Sequence, residues 1–170
     1  FGMFIHWGLY AIPAGVWKGK EIPGLGEGIC RNGAIPEAEY WALADAFRPE
    51  HFDADAWMGL ARRAGMRFLV FTAKHYDGFA MFDTRYGKNV VRDTPFGRDV
   101  VAEQREACDR HGLELGLYHS QVSDYYHPDI RGLHLQKYLD EKNIPQLEEI
   151  LTRYGDLLLV WFDGSPKKLR

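Results

Sequence analysis

Cysteine is scarce in this 170-residue chain, and the two present, Cys30 and Cys108, stand in no CxxC or Cys/His spacing. Neither a disulfide framework nor a zinc site is expected from them. Positive charge is not in excess either. The 21 Lys and Arg against 24 Asp and Glu give a net charge of −3 with no basic stripe, which argues against nucleic acid as a partner. No apolar run is long enough to span a bilayer, and no basic-then-apolar segment opens the chain, so no membrane partner is expected. The chain starts on FGMFIHWG, already strand-like, which leaves its true beginning and its localisation open. Nucleotide fingerprints are missing too: neither GxGxxG nor GxxxxGK[ST] follows that first strand, which weakens a doubly wound nucleotide-binding fold.

What the sequence does have is aromatic and apolar in short bursts. Aromatics make up 14% of the chain, with 5 Trp, and flat rings beside polar groups suit the two faces of a sugar. Apolar runs at Gly2–Trp7, Phe68–Thr72, within LELGLYHS and at Leu157–Phe162 read as strands, the last as one buried on both faces. Helical patterning falls between them, at Pro36–Phe47, at Ala54–Ala64 with Asp53 as N-cap, at Asp99–His111 before Gly112, and at Leu133–Tyr154, which Pro145 should kink or split. A Gly- and Pro-rich loop after the first strand is too long for a mere connector. The order β, α, β, α, β, α, β, with nothing resembling a hairpin between strands, predicts a parallel α/β fold in one domain, 1–170.

The strand ends point to the kind of α/β fold. They deliver His6, then Lys74, His75 and Asp77, then Tyr118 and His119, then Asp163 ahead of a Gly164–Ser165–Pro166 turn. In a (β/α)8 barrel the active site lies at the C-terminal ends of the strands, and a polar group after each of four apolar runs fits that rule. Each residue taken singly has a plainer role: Lys74 as a salt-bridged loop residue, Asp77 before Gly78 as a turn residue, Tyr118 as core. Asp163 is the exception, because an idle carboxylate at the end of a buried strand would be costly. Alternation puts Phe4 with His6, and Trp161 with Asp163, on common sides of their strands.

The blocks FGMFIHWG, TAKHYDGFAMFD, TPFGRDVV, GLYHSQ, YLDEKNIPQLEEILTRYG and VWFDG, in this order, resemble the successive motifs of the family 29 α-L-fucosidases. The resemblance implies a retaining exo-glycosidase acting on fucosylated oligosaccharides or glycoconjugates, with no cofactor or metal. Its nucleophile would be Asp163, attacking the anomeric carbon to form a glycosyl-enzyme ester that water then hydrolyses. By the same resemblance, His6 and His75 bind sugar hydroxyls, Glu27 reaches the sugar from the long loop, and Tyr118 lies near the nucleophile. Phe4 and Trp161 offer an apolar wall for the C5 methyl of a 6-deoxy sugar.

The chain also departs from the family pattern. Tyr76 stands where a second histidine is usual, Gly28 where a tryptophan follows the loop glutamate, Tyr118–His119 where the third strand has a tyrosine pair, and Asp124–Tyr125 where Asp–Trp is usual, so sugar specificity or affinity is expected to differ. A complete barrel needs about 250 residues and eight strands, whereas this sequence supplies four. It reads as the first half of a barrel, with the general acid/base beyond it. Such a half is expected to expose its inner face and to self-associate through the open edge. Two other readings stand beside the fucosidase: a truncated barrel serving as a sugar-binding or assembly module, and a glycosidase for a related sugar such as galactose.

Overall fold

The computed structural model describes residues 1–121, 124–130 and 135–163. In chain order its strands and helices are β1 (Met3–Ile5), β2 (Val16–Trp17), β3 (Lys20–Glu21), α1 (Ile29–Asn32), α2 (Glu37–Trp41), α3 (Ala54–Arg63), β4 (Phe68–Lys74), α4 (Val100–His111), β5 (Glu114–Ser120), α5 (Leu135–Tyr138), α6 (Ile144–Arg153) and β6 (Val160–Asp163). The expected turn at Gly164–Pro166 and the expected helix start at Leu133 lie outside the described residues. Four strands form one sheet in the order β1-β4-β5-β6, and each neighbouring pair is parallel. The α/β class with a parallel sheet is thus the observed one.

The helices form where their ends are satisfied. Asp53 accepts a hydrogen bond from the Ala56 N–H at 2.9 Å and so caps α3 as expected. Asp99 does the same for α4 through Ala102, and its second oxygen accepts from the Asp83 N–H and the Tyr154 hydroxyl. Gly112 ends α4 in the left-handed region at φ 63°, which glycine adopts without a Cβ penalty. Pro145 sits at the start of α6, and the turn before it, Leu139–Asn143, is a π-helix. Asn143 and Ile144 both keep right-handed helical backbone, so the helix is not split at the proline as expected: α5, the π-turn and α6 run on without a break, and only the winding changes just ahead of Pro145. Both cysteines are buried within the helical layer, where burial pushes the thiols up to about 12 for Cys30 and about 11 for Cys108. They stay protonated and unreactive at neutral pH. No described helix is long and apolar enough to cross a membrane.

Two further expectations are corrected. The long first loop does hold a hairpin: β2 and β3 pair antiparallel across Lys18 and Gly19, both at positive φ (48° and 78°), as a two-residue hairpin turn requires. The last strand is not buried on both faces. It lies at the sheet edge with β5 as its one neighbour among the described residues, and Trp161 and Phe162 are 47% and 50% exposed. Periodicity alone does not distinguish an apolar strand covered on both faces from one that is exposed at a sheet edge.

Register assigns each side chain to a layer. Phe4 pairs with Val70, Thr72 with Tyr118, Tyr118 with Trp161 and Ser120 with Asp163, so these residues share the face away from the helices. The opposite face carries Leu69, Phe71, Leu115 and Leu117, all buried in the main core. Between Thr72 and Lys74 the register shifts by one residue, so that Thr72 opposes Tyr118 while Lys74 opposes His119. This bulge turns Lys74 toward the helices and returns His75 to the inner face.

Candidate active site

The inner face gathers at the C-terminal ends of the strands. The His75 ring stacks on Tyr118 with centroids 4.8 Å apart and planes 6° from parallel. His6 lies 5.3 Å from His75 and 5.7 Å from Tyr118, ring to ring. Phe4 contacts His6 at 4.6 Å and Trp161 at 5.3 Å. The Tyr118 hydroxyl donates to Asp163 Oδ2 at 2.9 Å, and this bond together with burial raises the phenol well above its ordinary value. Glu27, carried by a 3₁₀ turn of the first loop, closes the group: its carboxylate and the nitrogens of His6 and His75 all lie within 4.8 Å of one another. The structure thus brings together the seven residues expected to form the sugar site: Phe4, His6, Glu27, His75, Tyr118, Trp161 and Asp163.

Protonation follows from this packing. Burial, reinforced by the neighbouring His6, lowers His75 to about 4, so its ring is neutral at physiological pH. Its Nδ1 accepts the Tyr76 N–H at 2.7 Å, which leaves the ring proton on Nε2. With its lone pair engaged by the backbone, the neutral His75 ring offers its other nitrogen as a hydrogen-bond donor. Asp163 itself is exposed, so the burial argument made for it from the sequence does not hold. What fixes its carboxylate is the Tyr118 hydroxyl, itself held by the His75 stack.

Other strand-end residues go elsewhere. Lys74 is fully buried, on the helix side, donating to the Tyr138 hydroxyl at 3.0 Å. Burial lowers its amine to about 7. His119 faces the same layer and is pushed well below its ordinary value by burial and by Lys74. Asp77 accepts the Tyr40 hydroxyl at 2.6 Å and the Phe79 N–H at 3.1 Å, and so holds the turn that presents His75. Nothing in the sequence marked Tyr40, which reads as one more core aromatic until its partner is seen. The same holds for Thr72, whose hydroxyl receives the Trp7 N–H at 2.9 Å and donates back to the Trp7 carbonyl at 3.1 Å. It fastens the exit of β1 beside His6.

The Asp77 carboxyl makes stability depend on pH. Burial raises it from 3.8 to about 6, so the folded protein holds this proton more tightly than the unfolded chain does. Its contribution is complete below about pH 4 and is lost as the pH rises through 6. The unfolding free energy of the wild type relative to Asp77→Asn should fall by about 2 kcal/mol between pH 4 and 7. Denaturant titrations at several pH values check this, and a flat difference would contradict it.

Comparison with known proteins first places the fold. The crystal structure of alpha-L-fucosidase from Vibrio sp. strain EJY3 superposes with a TM-score of 0.94 at 38% identity, covering 99% of this chain and 31% of that one. The alpha-L-fucosidase AlfC from Lactobacillus casei, in complex with alpha-L-fucose product, matches with a TM-score of 0.91 at 39% identity, covering 98% and 58%. A parallel α/β sheet with this arrangement of strand ends is thus one that glycoside hydrolases use. The family profile "Alpha-L-fucosidase" matches residues 1–169, and the chain belongs to the alpha-L-fucosidase family. A putative alpha-L-fucosidase of Caenorhabditis elegans is 33% identical over 99% of this chain. The chain spans 37% of the length of that relative.

Proposed function

We propose that this chain is the nucleophile-bearing part, residues 1–170, of the catalytic domain of a retaining exo-α-L-fucosidase, and that its parallel sheet is the first half of a (β/α)8 barrel. The observation that carries the reading is the Tyr118–Asp163 hydrogen bond at 2.9 Å, set among two imidazoles, a carboxylate and two aromatic faces. Asp163 attacks the anomeric carbon of a terminal fucosyl residue, the C1–O bond to the leaving group breaks, and a fucosyl ester forms on the carboxylate. Water then attacks C1, displaces the carboxylate and releases fucose with its original anomeric configuration. Tyr118 donates to Asp163 Oδ2 and so orients Oδ1 for attack. His6, His75 and Glu27 bind the ring hydroxyls, with His75 donating from Nε2. Phe4 and Trp161 form the wall for the C5 methyl.

The proton for the leaving group comes from an acid that none of these residues supplies. The inner face, on which Phe4 is 40% exposed, is the surface that the remainder of the barrel packs, or that a second copy of the chain covers.

Trapping tests the reading. A 2-deoxy-2-fluoro-α-L-fucosyl fluoride, whose electron-withdrawing fluorine slows turnover of the ester, should label the full-length enzyme stoichiometrically. Peptide mass spectrometry should find the added mass on Asp163. Label on any other carboxylate would transfer the nucleophile role away from Asp163.

A further inference from the structure

Beside the His6–Glu27–His75 group, and sharing Glu27 and His75 with it, lies a cavity of about 570 Å³ whose other walls include Leu25, Arg31, Asn32 and Tyr76. The Arg31 guanidinium lies over the Tyr76 ring, 4.8 Å from its centroid. Tyr76 in turn stacks on Tyr125 at 5.8 Å, and the Tyr125 N–H donates to the Tyr76 carbonyl at 3.0 Å. The three residues form a ladder. Gly28 leaves the ladder room, since a Cβ there would stand 3.3 Å from Asn32 Nδ2 and 3.8 Å from the Arg31 guanidinium. Gly28, Tyr76 and Tyr125, three of the departures from the family pattern, therefore act in one place; His119, the fourth, lies in the helical layer. Their joint effect is to present a stacked guanidinium beside the sugar-binding group.

Arg31 is exposed, and its Nε donates to Asn32 Oδ1 at 3.2 Å. Among the described residues it forms no ion pair with a carboxylate. Glu27 lines the same cavity, but at the end where it meets His6 and His75. A guanidinium held over a ring by its carbon and fixed at Nε by Asn32 keeps its two Nη groups for a ligand, an arrangement suited to paired hydrogen bonds with an oxyanion. We propose that this cavity is an anion-recognising subsite, and that the substrates are fucosides carrying a sulfate or carboxylate on, or next to, the fucosyl ring, bound by Arg31. The proposal rests on the fucosidase reading above and specifies its substrate class.

The test compares matched substrates on the full-length enzyme. One pair is 4-nitrophenyl α-L-fucoside with and without a sulfate at O2 or O3 of the fucose. The other is fucose linked to glucuronic acid or to glucose. The wild type should prefer the anionic member of at least one pair by about tenfold or more in kcat/KM, as charge-assisted hydrogen bonds allow, and the responding pair identifies where the anion sits. In Arg31→Gln that ratio should fall to within about twofold, in Arg31→Lys it should persist in part, and added salt should reduce it. Because each ratio is measured within one protein, impaired folding or weaker fucose binding cancels. Absence of preference in both pairs, or a preference that survives Arg31→Gln, overturns the proposal. α-L-Fucosyl fluoride, which has no leaving group to occupy a subsite, separates the two levels. If the wild type hydrolyses it while both pairs show no preference, only the anion subsite is lost. If it is not hydrolysed, the fucosidase reading fails and takes the subsite with it.

Discussion

Replacement of Asp163 by alanine in the full-length enzyme should lower kcat/KM for α-L-fucosides by at least about 10³-fold, or about 4 kcal/mol of barrier. In the proposed mechanism the alanine removes the atom that forms the ester bond, and neighbouring groups cannot substitute for a covalent step. Azide entering the vacated space from the same side of the ring should restore part of the rate and yield the β-L-fucosyl azide, because one displacement has replaced two. Steady-state kinetics with product analysis by NMR checks both. A loss smaller than tenfold would show that Asp163 is not the nucleophile. A large loss accompanied only by an azide of unchanged configuration would show that the rescue bypasses the site.

Substitution of Gly78 by alanine should destabilise the protein by about 4 kcal/mol. Gly78 has φ 81°, a conformation in which a Cβ is strained, and its Cβ would overlap the Asp124 carboxylate. That carboxylate is buried and paired with Lys142 of the π-helix. The left-handed backbone alone costs roughly 1–2 kcal/mol. Displacing one member of a buried ion pair costs about 3–5 kcal/mol, because it leaves a charge desolvated without its partner. The damage also reaches the site, since the same turn carries Asp77 and presents His75. Chemical denaturation monitored by tryptophan fluorescence should show the loss, and a change below about 1 kcal/mol would mean that the turn relaxes away from Asp124.

How far these features could be read in advance depended on whether they are local. The cap at Asp53, the start of α4 near Asp99 and the stop at Gly112 are decided within a turn of chain, and each was legible. Strand alternation likewise placed Phe4 with His6 and Trp161 with Asp163 before any distance was known. Partnerships across the fold were not legible. Tyr40 with Asp77, and Arg31 with Tyr76 and Tyr125, join residues whose sequence separation carries no signal. Lys74 and His119 were grouped with the site because they follow apolar runs, yet both face the helices. For His119 the strand parity was available and points away from Tyr118. For Lys74 parity points the wrong way, because the bulge in β4 cannot be seen in a run of residues that all suit a strand. The half-barrel reading put an open edge at the last strand, but the exposure of β6 escaped, because its composition is that of a strand covered on both faces and does not encode whether the cover is present.

The bulge between Thr72 and Lys74 also means that the chemistry offered to a ligand depends on counting as much as on composition. Parity through β4 decides whether an imidazole or an ammonium group faces the cleft, and the bulge selects the imidazole. The same residues in unbroken alternation would exchange a neutral donor for a cation at the heart of the pocket, and set an imidazole into the helical layer where the Tyr138 hydroxyl now meets a lysine. Deleting Ala73, by contrast, would remove the irregularity and leave both side chains on the faces they now occupy.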